Sequence, residues 1–155
     1  MQNDHHFAVD IEWAGNRGTG TSEYKAYGRE TTISAAGKVS IDGSSARVFH
    51  GNADRWNPEE LLIAALAECH LLSYLHVAAS HGIVVVDYSD DAVGTMEQTQ
   101  DGGGHFTSVT LRPVVTIQSG DAGLALALHD EAHSKCFIAA SMNFPVTHEP
   151  TTVRR

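Results

Sequence analysis

The spacing of hydrophobic and polar positions changes rhythm several times along the chain. Phe7-Ala8-Val9-Asp10-Ile11-Glu12-Trp13 mixes apolar and polar residues with the period of a half-buried strand. Ala14 to Gly20 follows as a glycine-rich turn, and Tyr24 to Ser34 carries weaker strand character. Val39-Ser40-Ile41 and Ala46-Arg47-Val48-Phe49 predict a hairpin turning at Asp42-Gly43. At Asn57-Pro58-Glu59-Glu60 the rhythm becomes helical: Asn can cap, Pro suits the first helical position, and Glu60 can complete a capping box. This helix is expected to run to about Ser80 and stop at Gly82. Apolar residues such as Leu62, Ile63, Leu66, Leu71 and Leu75 surround most of its circumference, so it belongs inside the protein or between subunits. Ile83 to Thr95 and His105 to Gln118 read as strands joined by the polar turn Asp101 to Gly104. Ser119-Gly120-Asp121 opens a second helix expected over Ala122 to Met142, and Pro145 to Val153 is a last strand. Strands, helix, strands, helix, strand is the segregated order of an α+β fold with antiparallel sheet.

Length and composition narrow this further. A chain of 155 residues suits one domain, 1–155, with a sizeable core and a loose end over residues 1–6. With 42% hydrophobic and 19% charged residues it reads as an ordinary globular protein. Its formal net charge of -9 repels phosphate backbones, which argues against nucleic acid as a partner. Leu61 to Ala79 approaches membrane length, but Glu68, His70, Ser73 and His76 interrupt it, so no membrane association is expected. Met1 to His6 has neither the basic start nor the apolar run of an export signal, which predicts a cytoplasmic chain in a reducing compartment. Cysteines there are buried bystanders, metal ligands or redox-active thiols.

There are two cysteines. Cys69 lies mid-helix in Ala64-Ala65-Leu66-Ala67-Glu68-Cys69-His70, where a small buried hydrophobe is the commoner role. Cys136 follows His129 and His133 at spacing i, i+4, i+7, which puts all three on one face of the expected second helix. That face is either a polar seam or a site: a metal centre, or a thiol with a histidine nearby. Three chemistries stay open on the residues alone. Cys69, Cys136, His133 and His129 could surround zinc. Cys69 could be the nucleophile of a hydrolase with His133 as base. The two cysteines could also form a redox pair. Asp87, Asp90, Asp91 and Asp101 lack the ordered ligand spacing of a calcium loop and read as solvated surface. Trp13, Trp56, Tyr24 and Tyr74 read as core or interface aromatics, and His76 and His81 as polar helix edges.

Asn57-Pro58-Glu59 leading the helix that carries Cys69, with His133-Ser134-Lys135-Cys136 later, resembles the OsmC/Ohr family of osmotically induced and organic hydroperoxide resistance proteins. The resemblance runs from about Phe7 to Val153. It implies antiparallel sheets packed on two long helices in an interwound homodimer, and a stress-response thiol peroxidase needing no cofactor or metal. By matching positions Cys69 is the peroxidatic cysteine and Cys136 the resolving one. The family's arginine falls on Arg17 and its helix-start glutamate on Glu59, with Arg29 and Arg55 as the other arginines considered. The implied partners are a second copy of the chain, a peroxide and an external dithiol, possibly of lipoyl type. A family member that binds ligands or senses oxidants without turnover is the alternative the same resemblance allows. Phe137 stands where the family often has proline, and His70 directly after Cys69 is not a general family feature. Glu59 and Cys69 are ten positions apart, about 15 Å along a continuous helix, so they cannot meet within it. A site that uses both therefore calls for a contribution from a second chain.

Overall fold

Asn57 and Pro58 start the main helix as their chemistry dictates. The Asn57 side-chain oxygen accepts the Glu60 amide at 2.8 Å, which satisfies one of the amides that a helix start leaves unpaired. The computed structural model describes residues 3–155, so the first two positions of the expected loose end lie outside the described residues. The chain forms two compact units, one reaching to Leu61 and one spanning Leu62–Arg155.

The first unit is an antiparallel meander of β1 (Asp10–Trp13), β2 (Thr31–Ser34) and β3 (Ile41–Gly43). Ile11 stands opposite Ile33, and Ile33 opposite Ile41, so one face carries a row of isoleucines. Two expectations change here. Asp42-Gly43 is the end of a strand, not a hairpin turn. The reversal falls at Ala35 to Lys38, where Gly37 takes the positive φ of 75° that a side chain would resist. Of the segment Tyr24 to Ser34 only the last four residues pair, and Arg47–Phe49 is a short 3-10 turn.

The helix α1 (Pro58–Ser80) leads from the first unit into the second and ends before Gly82, whose φ is 74°. The second unit then builds two three-stranded sheets, β4-β7-β9 and β5-β6-β8. These come from β4 (Val84–Asp90), β5 (Val93–Gln98), β6 (Gly104–Leu111), β7 (Pro113–Ser119), β8 (Val146–His148) and β9 (Thr151–Arg154). Each strand expected as one run is split across both sheets, with crossings at Asp91-Ala92, at Arg112 and at Glu149-Pro150. The β4/β7 and β5/β6 pairs are antiparallel, whereas β6/β8 and β7/β9 are parallel, so the sheets are mixed.

The second helix is also broken. It divides into α2 (Ala122–Ser134), capped by Asp121 on the Leu124 amide at 2.6 Å, and the short α3 (Phe137–Ala140). Tyr74, Val77 and Ala78 of α1 pack with Val115 and Ile117 of β7 and with Ala125, Leu128 and Ala132 of α2. A second cluster joins Leu66 of α1 to Val109 and Leu111 of β6, with Ile138 and Ala139 of α3 against it. Leu66, His70, Tyr74 and Val77 therefore form one buried stripe of α1 at helical spacing, while Leu72 and Leu75 stay exposed. The α1 helix is long and apolar enough to cross a membrane by length and composition, yet this stripe packs on sheet and helix.

Candidate active site

The break between α2 and α3 makes the thiol site. Lys135 still has near-helical angles, but Cys136 turns to φ -78°, ψ 107° and becomes the cap of α3. Its Sγ accepts the Ala139 amide at 3.4 Å, and its own amide donates to the His133 carbonyl at 3.1 Å. Cys136 is thus not the third residue of a helical face with His129 and His133, as a continuous helix required. The residue is 1% exposed. Burial first, and then the neighbouring Cys69 thiol, push its pKa up to about 11. Cys69 comes from α1, one turn beyond the buried Leu66, and is half-buried. Both cysteines are free thiols. Residues far apart in sequence and on different elements therefore interact through their sulfurs inside one unit. One thiol is partly open and the other is buried and held protonated.

In the first unit Arg17 meets a carboxylate, but it is Glu30, at 3.5 Å, and not Glu59. Glu30 is held below the usual carboxylate range by its own backbone amide, with Arg17 helping against the opposing effect of burial. Glu59 is half-buried and its Oε2 has no hydrogen-bond partner. The two other arginines considered are engaged elsewhere. Arg29 donates to the Tyr27 and Tyr24 carbonyls at 2.7 Å each and lies over both rings, whereas Arg55 faces Asp42 at 3.6 Å. A polar pocket of about 280 Å³ collects Arg17, Lys25, Arg29, Glu30 and His50. Beside the isoleucine row a larger apolar cavity of about 520 Å³ is lined by Ile11, Trp13, Tyr27, Ile33, Trp56 and Leu61. Trp13, Trp56 and Tyr24 are substantially exposed, and only Tyr74 of the four singled-out aromatics is core.

The second unit holds a feature the sequence only hinted at. His70 of α1, His129 and His133 of α2, and His148 of β8 form one cluster. His70 Nε2 and His129 Nδ1 are 2.9 Å apart, and both residues are fully buried. Burial, reinforced by the neighbouring histidines, holds His70 down to about 4 and His129 to about 3. Tyr74 stacks on His129 with ring centres 4.0 Å apart. The signal for His129 and His133 was their i, i+4 spacing, and for His70 its place on the buried stripe of α1. His148 gave none, because its partners come from elements remote in sequence. Glu30 was missed for the same reason. Among the described residues, no three His, Cys, Asp or Glu side chains as they stand form a metal-binding group, so the zinc set of Cys69, Cys136, His133 and His129 is not formed.

Fold and site together define a two-thiol α+β protein. The sequence profile of OsmC-like proteins matches residues 51–151, and the chain belongs to that family. It is 27% identical to the uncharacterized protein YmaD of Bacillus subtilis, over 90% of this chain and 87% of that one. The solved structure of an OsmC-like protein of unknown function from Vibrio cholerae superposes with a TM-score of 0.84 at 27% identity, covering 95% and 99% of the two chains. The organic hydroperoxide resistance protein OhrB of Bacillus subtilis shares the fold, with a TM-score of 0.59 at 21% identity over 94% of this chain and 98% of that one.

Proposed function

We propose that this protein is a thiol-dependent peroxidase that reduces organic hydroperoxides. The Cys69 thiolate attacks the O–O bond of the peroxide. One oxygen stays on sulfur as a sulfenic acid, and the other leaves as an alcohol after taking up a proton. The Cys136 thiol then condenses with the sulfenic acid, forming the Cys69–Cys136 disulfide and releasing water. An external dithiol restores both thiols by exchange and is itself oxidised to a disulfide. The observation that carries the reading is the pair of interacting thiols in unequal surroundings, one half-buried on α1 and the other buried at the α2–α3 break. Membership in a family whose solved folds include organic hydroperoxide resistance proteins supports it.

Arg17 is assigned the stabilisation of the Cys69 thiolate. A guanidinium beside a thiolate favours the charged form, which is the nucleophile. Its ion pair with Glu30 gives Glu30 the orienting role in this chain, and Glu59 is left as a carboxylate to be engaged by a further partner. Exposed Ile11 and Trp13 beside the apolar cavity support a homodimer that covers them. A monomer by light scattering at micromolar concentration would defeat the dimer.

The decisive test is mass spectrometry after one equivalent of cumene hydroperoxide. The expected product has lost two hydrogens and carries a Cys69–Cys136 crosslink. Stable sulfinic Cys69 beside free Cys136 would overturn the scheme.

A further inference from the structure

The carboxylate of Glu30 is tethered on one side and hemmed in on the other. Its Oε1 faces Arg17 Nη2 at 3.5 Å, while its Oε2 is buried and has no hydrogen-bond partner. Against Oε2 lies the bare Cα of Gly28, a buried residue two positions earlier. A Cβ on Gly28 would stand 2.7 Å from Glu30 Cδ and 2.9 Å from Oε1, and closer still to Oε2. The carboxylate therefore fills the volume that a side chain at position 28 would need.

Gly28 itself is fixed by the chain around it. Its amide donates to the Gly15 carbonyl at 2.8 Å, and its carbonyl accepts the Trp13 indole N–H at 2.8 Å. The Ala14 amide donates to the Glu30 carbonyl at 2.8 Å. These three bonds hold residues 13–15, which lead into the loop bearing Arg17, against residues 28–30. Gly15 is needed for the same close approach, since a Cβ there would be 2.5 Å from Trp13 Nε1 and would run into the Gly28 carbonyl. The two glycines differ in what would have to give way. Opposite Gly15 stand backbone atoms and an indole already engaged, whereas the three nearest atoms opposite Gly28 all belong to the end of the flexible Glu30 side chain. Gly28 does not take a positive φ, so alanine suits its backbone. An added methyl group at position 28 leaves the fold in place and displaces the carboxylate.

We infer that Gly28 is a positioning residue: its missing side chain is the seat of the Glu30 carboxylate, and through that carboxylate it sets the guanidinium of Arg17. The link to catalysis rests on the role proposed above for Arg17 at Cys69, whereas the seat itself does not. The electrostatics of Glu30 fit a seated anion. Its own amide foremost, with Arg17 and the side chain of Asn52, holds the carboxyl below the usual range against the effect of burial. Moving the carboxylate off Gly28 takes it away from these partners and leaves Arg17 without its neighbour. Groups that orient a reacting centre act steeply with distance, and a misplacement of about 1 Å can cost about 100-fold in rate.

The test compares Gly28→Ala, Glu30→Ala and the double variant Gly28→Ala/Glu30→Ala in the reduced full-length protein, with circular dichroism to check folding. Titration of the Glu30 carboxyl by carbon-13 NMR should show its pKa shifted upwards in Gly28→Ala, towards the ordinary carboxylate range. The kcat/KM for cumene hydroperoxide should fall about 10–100-fold in Gly28→Ala, with the acid limb of the pH–rate profile moved to higher pH as in Glu30→Ala. The double variant should be no slower than Glu30→Ala, because both changes remove one and the same interaction. If Gly28→Ala alone does not fold, the double variant, freed of the clash, should fold and match Glu30→Ala in rate. A Glu30 pKa unmoved in folded Gly28→Ala, a double variant that does not fold, or losses that multiply in it would each overturn the seat. A shifted Glu30 pKa with unchanged kcat/KM and pH profile would overturn the positioning role. A wild type that reduces no hydroperoxide, with the Glu30 pKa shifted in Gly28→Ala, would remove the peroxidase reading and leave the seat standing.

Discussion

Cys69 and Cys136 carry the same functional group in different surroundings, and their reactivities should differ accordingly. Cys136 is buried, and its thiol is pushed up to about 11, so almost none of it is thiolate at neutral pH. Iodoacetamide at pH 7–8 is expected to alkylate Cys69 well before Cys136, as mapped by peptide mass spectrometry; equal rates would remove the distinction between attacking and resolving thiol. Arg17 offers a second residue-level test. Because its carboxylate neighbour is Glu30, Glu30→Gln should slow peroxide reduction more than Glu59→Gln in second-order rate measurements. Phe137 and Leu72 are 81% and 60% exposed, unlike Leu66, which is core. If Phe137 favours organic substrates, Phe137→Ser should narrow the ratio of kcat/KM for cumene hydroperoxide over hydrogen peroxide.

At the scale of elements, α1 organises the second unit, and its stability should respond to its start and its buried stripe. Removing the Asn57 cap by Asn57→Ala should cost about 1 kcal/mol in urea unfolding. Leu66→Ala should cost about 2–5 kcal/mol, because Leu66 is fully buried against Val109 and Leu111. Gly94→Ala should be damaging too, since a Cβ there would stand 2.7 Å from both Ile63 Cδ1 and Phe106 Cε1. The cap and the stop of α1 were legible in the sequence because Asn57, Pro58 and Gly82 act locally. The break at Lys135-Cys136 was not: no proline or glycine marks it, and Ile138 and Ala139 leave the α2 axis to pack on the Leu66 cluster. The splitting of each long strand between two sheets was illegible for a similar reason. Hydropathy period reports which residues are buried, not which sheet buries them.

For the whole molecule, the buried histidines tie stability to pH. Burial holds His70 and His129 down to about 4 and about 3, against about 6.5 when unfolded. Below about 6.5 the unfolded chain binds more protons than the native one, so stability should fall as pH drops from 6.5 towards 4 and be insensitive to these groups above 6.5. His133 and His148 add to the effect on His70, and Asp130 opposes it on His129. Urea midpoints across pH 4–8 check this, and a flat profile over pH 4–6.5 would contradict it. The α+β class could be read from the order of strand and helix patterns, and the family resemblance from two short motifs that combine local helix signals with two cysteines. The histidine cluster and the Arg17–Glu30 pair needed three dimensions, as each joins residues distant in sequence.

The sulfur of Cys136 also caps the start of a helix. Its Sγ satisfies the Ala139 amide, and a bond to Cys69 would draw that atom away and leave the amide seeking another acceptor. Oxidation should then fray Phe137–Ala140, and deuterium should enter at Ala139 faster in the disulfide form than in the reduced protein. The loosened turn would expose the crosslink to an incoming reductant, so that the product of one half-reaction opens the door to the next.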